Sequence, residues 1–179
     1  MLNKIMVDNG IIVRDAREDD LGAILNIYND AIINTTAVYS EQPHTLQMRR
    51  EWYNDRVKDN FPVFVADVDG KVAGFSSFGH FRYGAGYKYS VETSVYVDVA
   101  FRGKGISKML IQPLIDRAVE MNVHAVIAGV SADNQISINL HSSLGFKEVA
   151  HLKEVGHKFG LWLDLKFFQL ILNNTPGTT

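Results

Sequence analysis

One segment constrains the fold more than any other, because it joins an apolar strand to a helix through a loop that contains two glycines. Residues 91–97 predict the strand, and Arg102-Gly103-Lys104-Gly105 precedes a helix that we expect to end near Met121. A second apolar strand follows at 123–130. Strand, helix and strand in this order predict a crossover connection inside a sheet.

The remaining pattern adds antiparallel strands and further helices. Asp69-Gly70 separates apolar runs at 62–68 and 71–78, and this dipeptide is a strong signal for a hairpin. We expect the other strands at 11–14, 146–150 and 161–172, and the other helices after Asp19-Asp20, at 46–59 after Thr45, and from Asn134 to Leu144. The predicted order is β-α-α-β-β-β-α-β-α-β-β. It describes an α/β (α+β) protein whose mixed sheet carries helices on its faces.

The chain has the size of one domain. Its 179 residues show no change of composition and no linker that would divide them. We predict an N-terminal extension at 1–10, a single domain at 11–172 and a disordered tail at 173–179.

Composition excludes several classes of function. With 18 basic and 20 acidic residues, the formal net charge of -2 removes the general attraction that drives non-specific nucleic-acid binding. The absence of cysteine excludes a disulfide scaffold, a cysteine zinc site and a cysteine acyl-enzyme. No apolar run has the length of a membrane span or of a secretory signal. We therefore expect a cytoplasmic protein with neither nucleic acid nor membrane as partner.

The glycine-containing loop predicts a phosphate site. Backbone N–H groups and the positive end of the helix dipole converge there, and Arg102, Lys104 and Lys108 add positive charge. The dinucleotide fingerprint would need glycine in place of Lys108, and no GxxxxGK[ST] motif exists, so neither NAD nor ATP is favoured. The alternative is an ordinary strand-to-helix turn with solvated basic side chains.

Residues 102–107, with Asn134 and 141–146 downstream, resemble the GNAT N-acetyltransferase superfamily, whose R/Q-x-x-G-x-G/A loop holds the pyrophosphate of coenzyme A. Within it, 81–87, 91–97 and 155–165 are similar to the phosphinothricin and methionine sulfoximine N-acetyltransferases. The resemblance covers about residues 11–170. It implies a GNAT-like, mostly antiparallel sheet with helices on both faces, acetyl-CoA as co-substrate, a small amine or amino acid as acceptor, and a homodimer.

Two residues are the candidates for catalysis. Glu92 interrupts an apolar strand that leads to the phosphate loop, and a carboxylate there can take a proton from an ammonium group. The alternative is a rim carboxylate paired with Arg82 or Lys88. His141 stands where many members of the superfamily have a tyrosine thought to protonate the thiolate, and the alternative is a half-buried structural histidine.

Twelve residues are the candidates for coenzyme binding. The resemblance implies that the main chain of the strand end pairs with the pantetheine arm and stabilises the oxyanion, and that Asn134 and Ser143 lie near the coenzyme. Asn134 is also explained as a plain helix cap. The full set is Val95, Tyr96, Val97, Arg102, Gly103, Lys104, Gly105, Ile106, Ser107, Lys108, Asn134 and Ser143.

The acceptor is predicted to bind at the aromatic loop 81–87. Arg82 offers a guanidinium for a carboxylate, and Ala85, Gly86 and Tyr87 complete the predicted contact. The alternative is an ordinary aromatic-rich loop. We expect no metal, because the spacing of the histidines at 80, 124, 151 and 157 fits no metal site.

The function predicted from these features is acetyl-CoA-dependent N-acetylation of a small amino-acid-like substrate by direct transfer. One alternative is acetylation of a protein N-terminus or lysine. Another is an acyl-CoA-binding module without turnover, which Thr93 favours because the subfamily usually has histidine there.

Overall fold

The computed structural model describes residues 4–8 and 10–172, which form one eight-stranded sheet flanked by four α-helices. The predicted tail at 173–179 lies outside the described residues. The elements are β1 Lys4–Asp8, β2 Ile11–Asp15, α1 Leu21–Asn34, α2 Leu46–Lys58, β3 Val63–Val68, β4 Lys71–His80, β5 Ser90–Val97, α3 Ile106–Glu120, β6 Ala125–Ser131, α4 Gln135–Ser143, β7 Lys147–Lys158 and β8 Leu161–Ile171.

The sheet has the order β1-β2-β3-β4-β5-β6-β8-β7. Its pairs are antiparallel except for β5 with β6, which are parallel and joined through α3. The predicted fold class is therefore confirmed. One strand was not predicted: β1 lies in the segment that we assigned to an N-terminal extension, where it pairs with β2.

Helices cover both faces because strand residues alternate between them. On one face Phe78, Val91 and Val126 pack with α3. On the other, Phe75 packs with residues of α1 and α2. Within the described part of the chain, no helix has the length and apolarity needed to cross a membrane.

Strands β5 and β6 separate before either of them ends. Their pairing runs from Ser90↔Ala125 to Thr93↔Ala128, although β5 continues to Val97 and β6 to Ser131. On its other edge β5 stays paired with β4 as far as Gly74↔Val97. The sheet is therefore open between β5 and β6, at the end from which the chain enters α3.

Lys158 fastens the C-terminal hairpin to the segment that follows α1. Its side chain is fully buried, and the ammonium group donates hydrogen bonds to the carbonyl oxygens of Ile32, Thr35 and Val38 within 2.7 Å. Burial lowers the pKa of this ammonium group. The Tyr39 hydroxyl adds a 2.9 Å hydrogen bond to the Asp164 carbonyl. Residues 32–39 are therefore held in place by β7 and β8.

Candidate active site

A cavity of about 340 Å³ occupies the opening between β5 and β6. Residues from both faces of the sheet line this cavity, because the separation of β5 and β6 leaves a gap in the sheet. The lining residues are Ala37, Arg56, Gly79, His80, Glu92, Thr93, Ser94, Val95, Tyr96, Ala128, Gly129, Val130, Ser131, Asn134, Ser137, His141 and Leu165. Of the predicted catalytic and coenzyme-binding residues, Glu92, Val95, Tyr96, Asn134 and His141 meet there.

Glu92 lies half-buried at this opening, on the face covered by α1 and α2. Its Oε1 reaches towards β6, where a Cβ added to Gly129 would lie 3.1 Å from it. Burial raises the pKa of the Glu92 carboxyl, and the positive charge of Arg82 offsets part of this rise. A carboxylate with a raised pKa in a cavity is suited to accept a proton.

His141 is buried on the opposite side of the cavity and held in one orientation. Its Nδ1 lies 2.8 Å from the Ser137 carbonyl, and its ring contacts Phe146 edge-on and stacks on Phe168. Burial lowers the pKa of the imidazole. An Nδ1–H donated to a carbonyl leaves Nε2 of the neutral ring as an acceptor. His141 must therefore take up a proton before it can act as an acid.

Two polar residues of the opening have structural partners. The Asn134 Oδ1 accepts a 3.1 Å hydrogen bond from the Ser137 N–H, so Asn134 caps α4 while it also lines the cavity. Thr93 is buried, and its hydroxyl donates to the Ser77 carbonyl at 3.4 Å. Strand alternation directs its side chain to the face opposite that of Glu92.

The loop before α3 lies outside the cavity wall, next to the end of β5. Gly103 and Gly105 have φ of 78° and 77°, a conformation that L side chains disfavour. Arg102 and Lys104 are exposed beside them, and Arg102 contacts Asp30 at 3.5 Å. The first N–H groups of α3, at Ile106 and Ser107, have no partner within the helix. An exposed, positively charged helix N-terminus fits a phosphate group.

Besides the seven residues of the 102–108 loop, two further predicted coenzyme residues do not line the cavity. Ser143 is exposed, and its hydroxyl donates to the Leu140 carbonyl at 2.7 Å. Val97 is the last residue of β5 and lies beyond the lining, where its carbonyl accepts a 3.3 Å hydrogen bond from Arg102.

The predicted acceptor residues lie outside the cavity. Arg82, Ala85, Gly86 and Tyr87 are all exposed, because the chain leaves the sheet at His80 and forms a short helical turn at 85–87 before it returns as β5. Arg82 lies over the Phe81 ring, 5.4 Å from its centroid. Arg82 nevertheless lies near enough to Glu92 for its positive charge to lower the pKa of that carboxyl.

Sequence reasoning missed Arg56 and Gly79, both of which line the cavity. We interpreted residues 46–59 as a capped helix and nothing more. Arg49 and Arg56 are seven residues apart and therefore lie on one helix face, and Trp52 lies between them. This spacing was the available signal. Among the described residues, no group of three or more His, Asp or Glu is placed to hold a metal ion.

Comparisons with known proteins agree with this geometry. Residues 24–146 match the model of the acetyltransferase (GNAT) family. The chain is 44% identical to an L-methionine sulfoximine/L-methionine sulfone acetyltransferase of Pseudomonas aeruginosa, over 91% of this chain and 95% of that protein.

Two solved structures are also similar. A phosphinothricin acetyltransferase of Sinorhizobium meliloti in complex with acetyl-CoA has a TM-score of 0.91 at 32% identity, covering 95% of this chain and 92% of that one. A ribosomal-protein-alanine N-acetyltransferase of Brucella melitensis has a TM-score of 0.88 at 49% identity, covering 89% and 99%. The predicted resemblance is confirmed, and the chain belongs to the acetyltransferase (GNAT) family.

Proposed function

We propose that the protein transfers the acetyl group of acetyl-CoA directly to the amino group of a small amino-acid-like substrate. The observation that carries this proposal is the half-buried Glu92 carboxylate beside the opening between β5 and β6. The relatives support this proposal, since they are named for the acetylation of methionine sulfoximine, methionine sulfone or phosphinothricin.

The chemistry needs one base and one proton for the leaving group. Glu92 takes a proton from the acceptor ammonium, and the amine nitrogen then attacks the thioester carbonyl. A C–N bond forms, the C–S bond breaks, the amine nitrogen loses its second proton to solvent, and the thiolate takes up one proton, so that one proton is released for each acetyl group transferred. Neutral His141 cannot supply the proton that the thiolate accepts unless it has first taken up a proton itself. The donor is therefore protonated Glu92, water or protonated His141.

Acetyl-CoA is the co-substrate that the site fits. Residues 102–108 offer cations and helix N–H groups to its phosphates, and the unpaired edges of β5 and β6 offer main-chain partners to its pantetheine arm. Val95 and Tyr96 line the cavity at this edge, where a backbone N–H can stabilise the carbonyl oxygen.

Acetylation of a protein N-terminus is the second candidate, because a relative at 49% identity is named for it. The cavity volume of about 340 Å³ favours a small acceptor. The non-catalytic alternative loses support, because Thr93 has a buried hydrogen bond on the face away from Glu92.

A direct assay separates these candidates. Release of free CoA is measured with acetyl-CoA and three classes of acceptor: methionine sulfoximine and phosphinothricin, ordinary amino acids, and peptides with a free N-terminal alanine. We expect turnover with the small acceptors. Faster turnover of the peptides would replace the proposal with protein acetylation, and an absence of turnover with every class would refute it.

Arg82→Gln is expected to shift the acidic limb of the kcat/KM profile to higher pH. Arg82 lowers the pKa of Glu92, so its loss raises that pKa and leaves the base protonated over a wider range. The measurement is kcat/KM against pH with one acceptor. Lys88→Gln is the matched control, because Lys88 lies in the same loop but over the Tyr89 ring. Equal shifts in both variants would contradict the assignment.

We also propose that the protein is a homodimer formed through the C-terminal hairpin. Phe159, Leu161 and Trp162 are exposed at 54%, 60% and 66%, a concentration of apolar surface at the β7–β8 turn. Burying such a surface against a second copy removes it from water.

Trp162→Glu is expected to convert the dimer into a monomer, because a charge would be buried at the centre of the contact. Sedimentation or light scattering measures the mass at a fixed concentration. Val57→Glu, at an exposed apolar position on α2, should leave the mass unchanged. A monomeric parent protein would contradict the proposal.

A further inference from the structure

We propose that Arg56 of α2 binds the carboxylate of the acceptor amino acid, while Glu92 faces its amino group. This inference rests on the proposed function, because it assumes that the acceptor is a small amino acid. It assigns the recognition of the carboxylate to a residue inside the cavity and not to the exposed Arg82.

The register of the sheet places Arg56 next to the base. Gly79 of β4 pairs directly with Glu92 of β5, so the two residues share one face of the sheet. The Arg56 guanidinium lies flat over Gly79: a Cβ added there would be 2.6, 2.6 and 2.9 Å from its carbon and two terminal nitrogens. The absence of a side chain at residue 79 therefore makes room for this cation beside Glu92.

Arg56 is half-buried and forms no ion pair with the described residues, although Asp55 and Asp59 lie near enough for their charges to act on it. Its Nε is buried and makes no hydrogen bond, and no carboxylate of residues 4–8 or 10–172 lies within ion-pair distance of it. The guanidinium carbon lies 5.7 Å from the centre of the Trp52 ring. Burial of an unpaired cation is unfavourable, and an entering carboxylate offsets this cost. The planar fork of a guanidinium binds a carboxylate through two parallel hydrogen bonds.

A second buried guanidinium adds to the positive charge. Arg49 lies on the same face of α2, only 2% exposed, with its charge 4.0 Å from the centre of the Tyr28 ring and 4.7 Å from that of Trp52. Its Nε also lacks a hydrogen bond. The two arginines repel each other, so an anion beside Arg56 is attracted by both.

The arrangement matches the chemistry of an α-amino acid. Its ammonium and carboxylate groups are attached to one carbon, so recognition requires an acid and a cation close together on one wall. Glu92 leans towards Gly129 on β6, away from Gly79, and both Glu92 and Arg56 line the cavity, so a small ligand inside it can meet both side chains. In a peptide acceptor, the carbon that bears the free amino group is attached to an amide carbonyl and not to a carboxylate.

The test compares carboxylate acceptors with their carboxamides. Arg56→Gln should lower kcat/KM for the carboxylate about 10- to 150-fold, the effect of losing a hydrogen-bonded ion pair, and should change the carboxamide much less. Most of the loss should appear in KM, and Arg56→Lys should restore part of it. Arg50→Gln is the matched control, since Arg50 is exposed on the same helix and pairs with Glu18.

Gly79→Ala provides a second test that keeps the charge. The added methyl group must displace the Arg56 guanidinium, so we expect the same selective loss for carboxylate acceptors. Equal losses for carboxylate and carboxamide in both variants would overturn the inference and reduce Arg56 to a packing residue. This outcome differs from failure of the proposed function, in which the parent protein acetylates no small amino acid.

Discussion

Glu92→Gln is expected to lower kcat about 10²–10⁴-fold at neutral pH, the usual effect of losing a general base. A carboxamide has nearly the same shape but cannot accept the proton of the ammonium group. The affinity for acetyl-CoA should change little, because Glu92 is remote from the loop that precedes α3. The measurements are kcat with a saturating amino-acid acceptor and calorimetric binding of acetyl-CoA.

The pH dependence gives an independent check. Burial raises the pKa of Glu92, so the parent rate should fall, as pH is lowered, at a higher pH than for an ordinary glutamate. The variant should lose this limb and regain part of its rate at high pH, where the free amine is more abundant. Glu120→Gln is the control, because Glu120 is exposed on α3 and pairs with Arg117. A variant that kept the acidic limb of the parent would assign the base to another group.

Lys104→Glu is expected to raise the KM for acetyl-CoA about 10²-fold. The change removes a charge-assisted contact of about 1.5–3 kcal/mol and adds repulsion between the new carboxylate and the phosphates. The fold should be retained, because Lys104 is exposed and its ammonium group lies over the Phe101 ring.

A truncated donor isolates this effect. S-acetylpantetheine carries the thioester but lacks the nucleotide phosphates, so parent and Lys104→Glu should use it equally. Lys71→Glu makes the same change of charge at the exposed first residue of β4 and should leave the KM for acetyl-CoA unchanged. An equal loss with both donors would show that Lys104 supports the loop and does not bind phosphate.

Local patterns predicted most of the fold. The hairpin at Asp69-Gly70 is present, with φ of 51° and 80° at these residues, as its two-residue turn requires. The Gly103 and Gly105 loop and the helix that follows are also where the sequence placed them. These features depend on backbone conformation within a few residues, which composition and spacing report directly.

Contacts between distant segments could not be predicted in the same way. Arg56 and Gly79 meet because α2 crosses β4, and neither residue carries a local signal of that crossing. Arg14 likewise reads as a solvated charge, yet it is buried and pairs with Asp20 at 2.7 Å and with Asp67 at 3.1 Å. The exposure of Arg82 follows from the direction in which its loop leaves the sheet, which a list of residue types does not contain.

The contact of Lys158 also bears on the order in which the protein is completed during synthesis. A chain emerges from the ribosome N-terminus first, so residues 32–39 are made well before the lysine that binds their carbonyl groups. Ala37, which lines the cavity, belongs to residues 32–39 and is therefore not held in place until Lys158 has been made. Strand β8 also inserts between β6 and β7, so β6 lacks one neighbour until β8 has been made. The nascent chain can therefore form the β3–β4 hairpin early, but it acquires a finished cavity only after β7 and β8 have been translated.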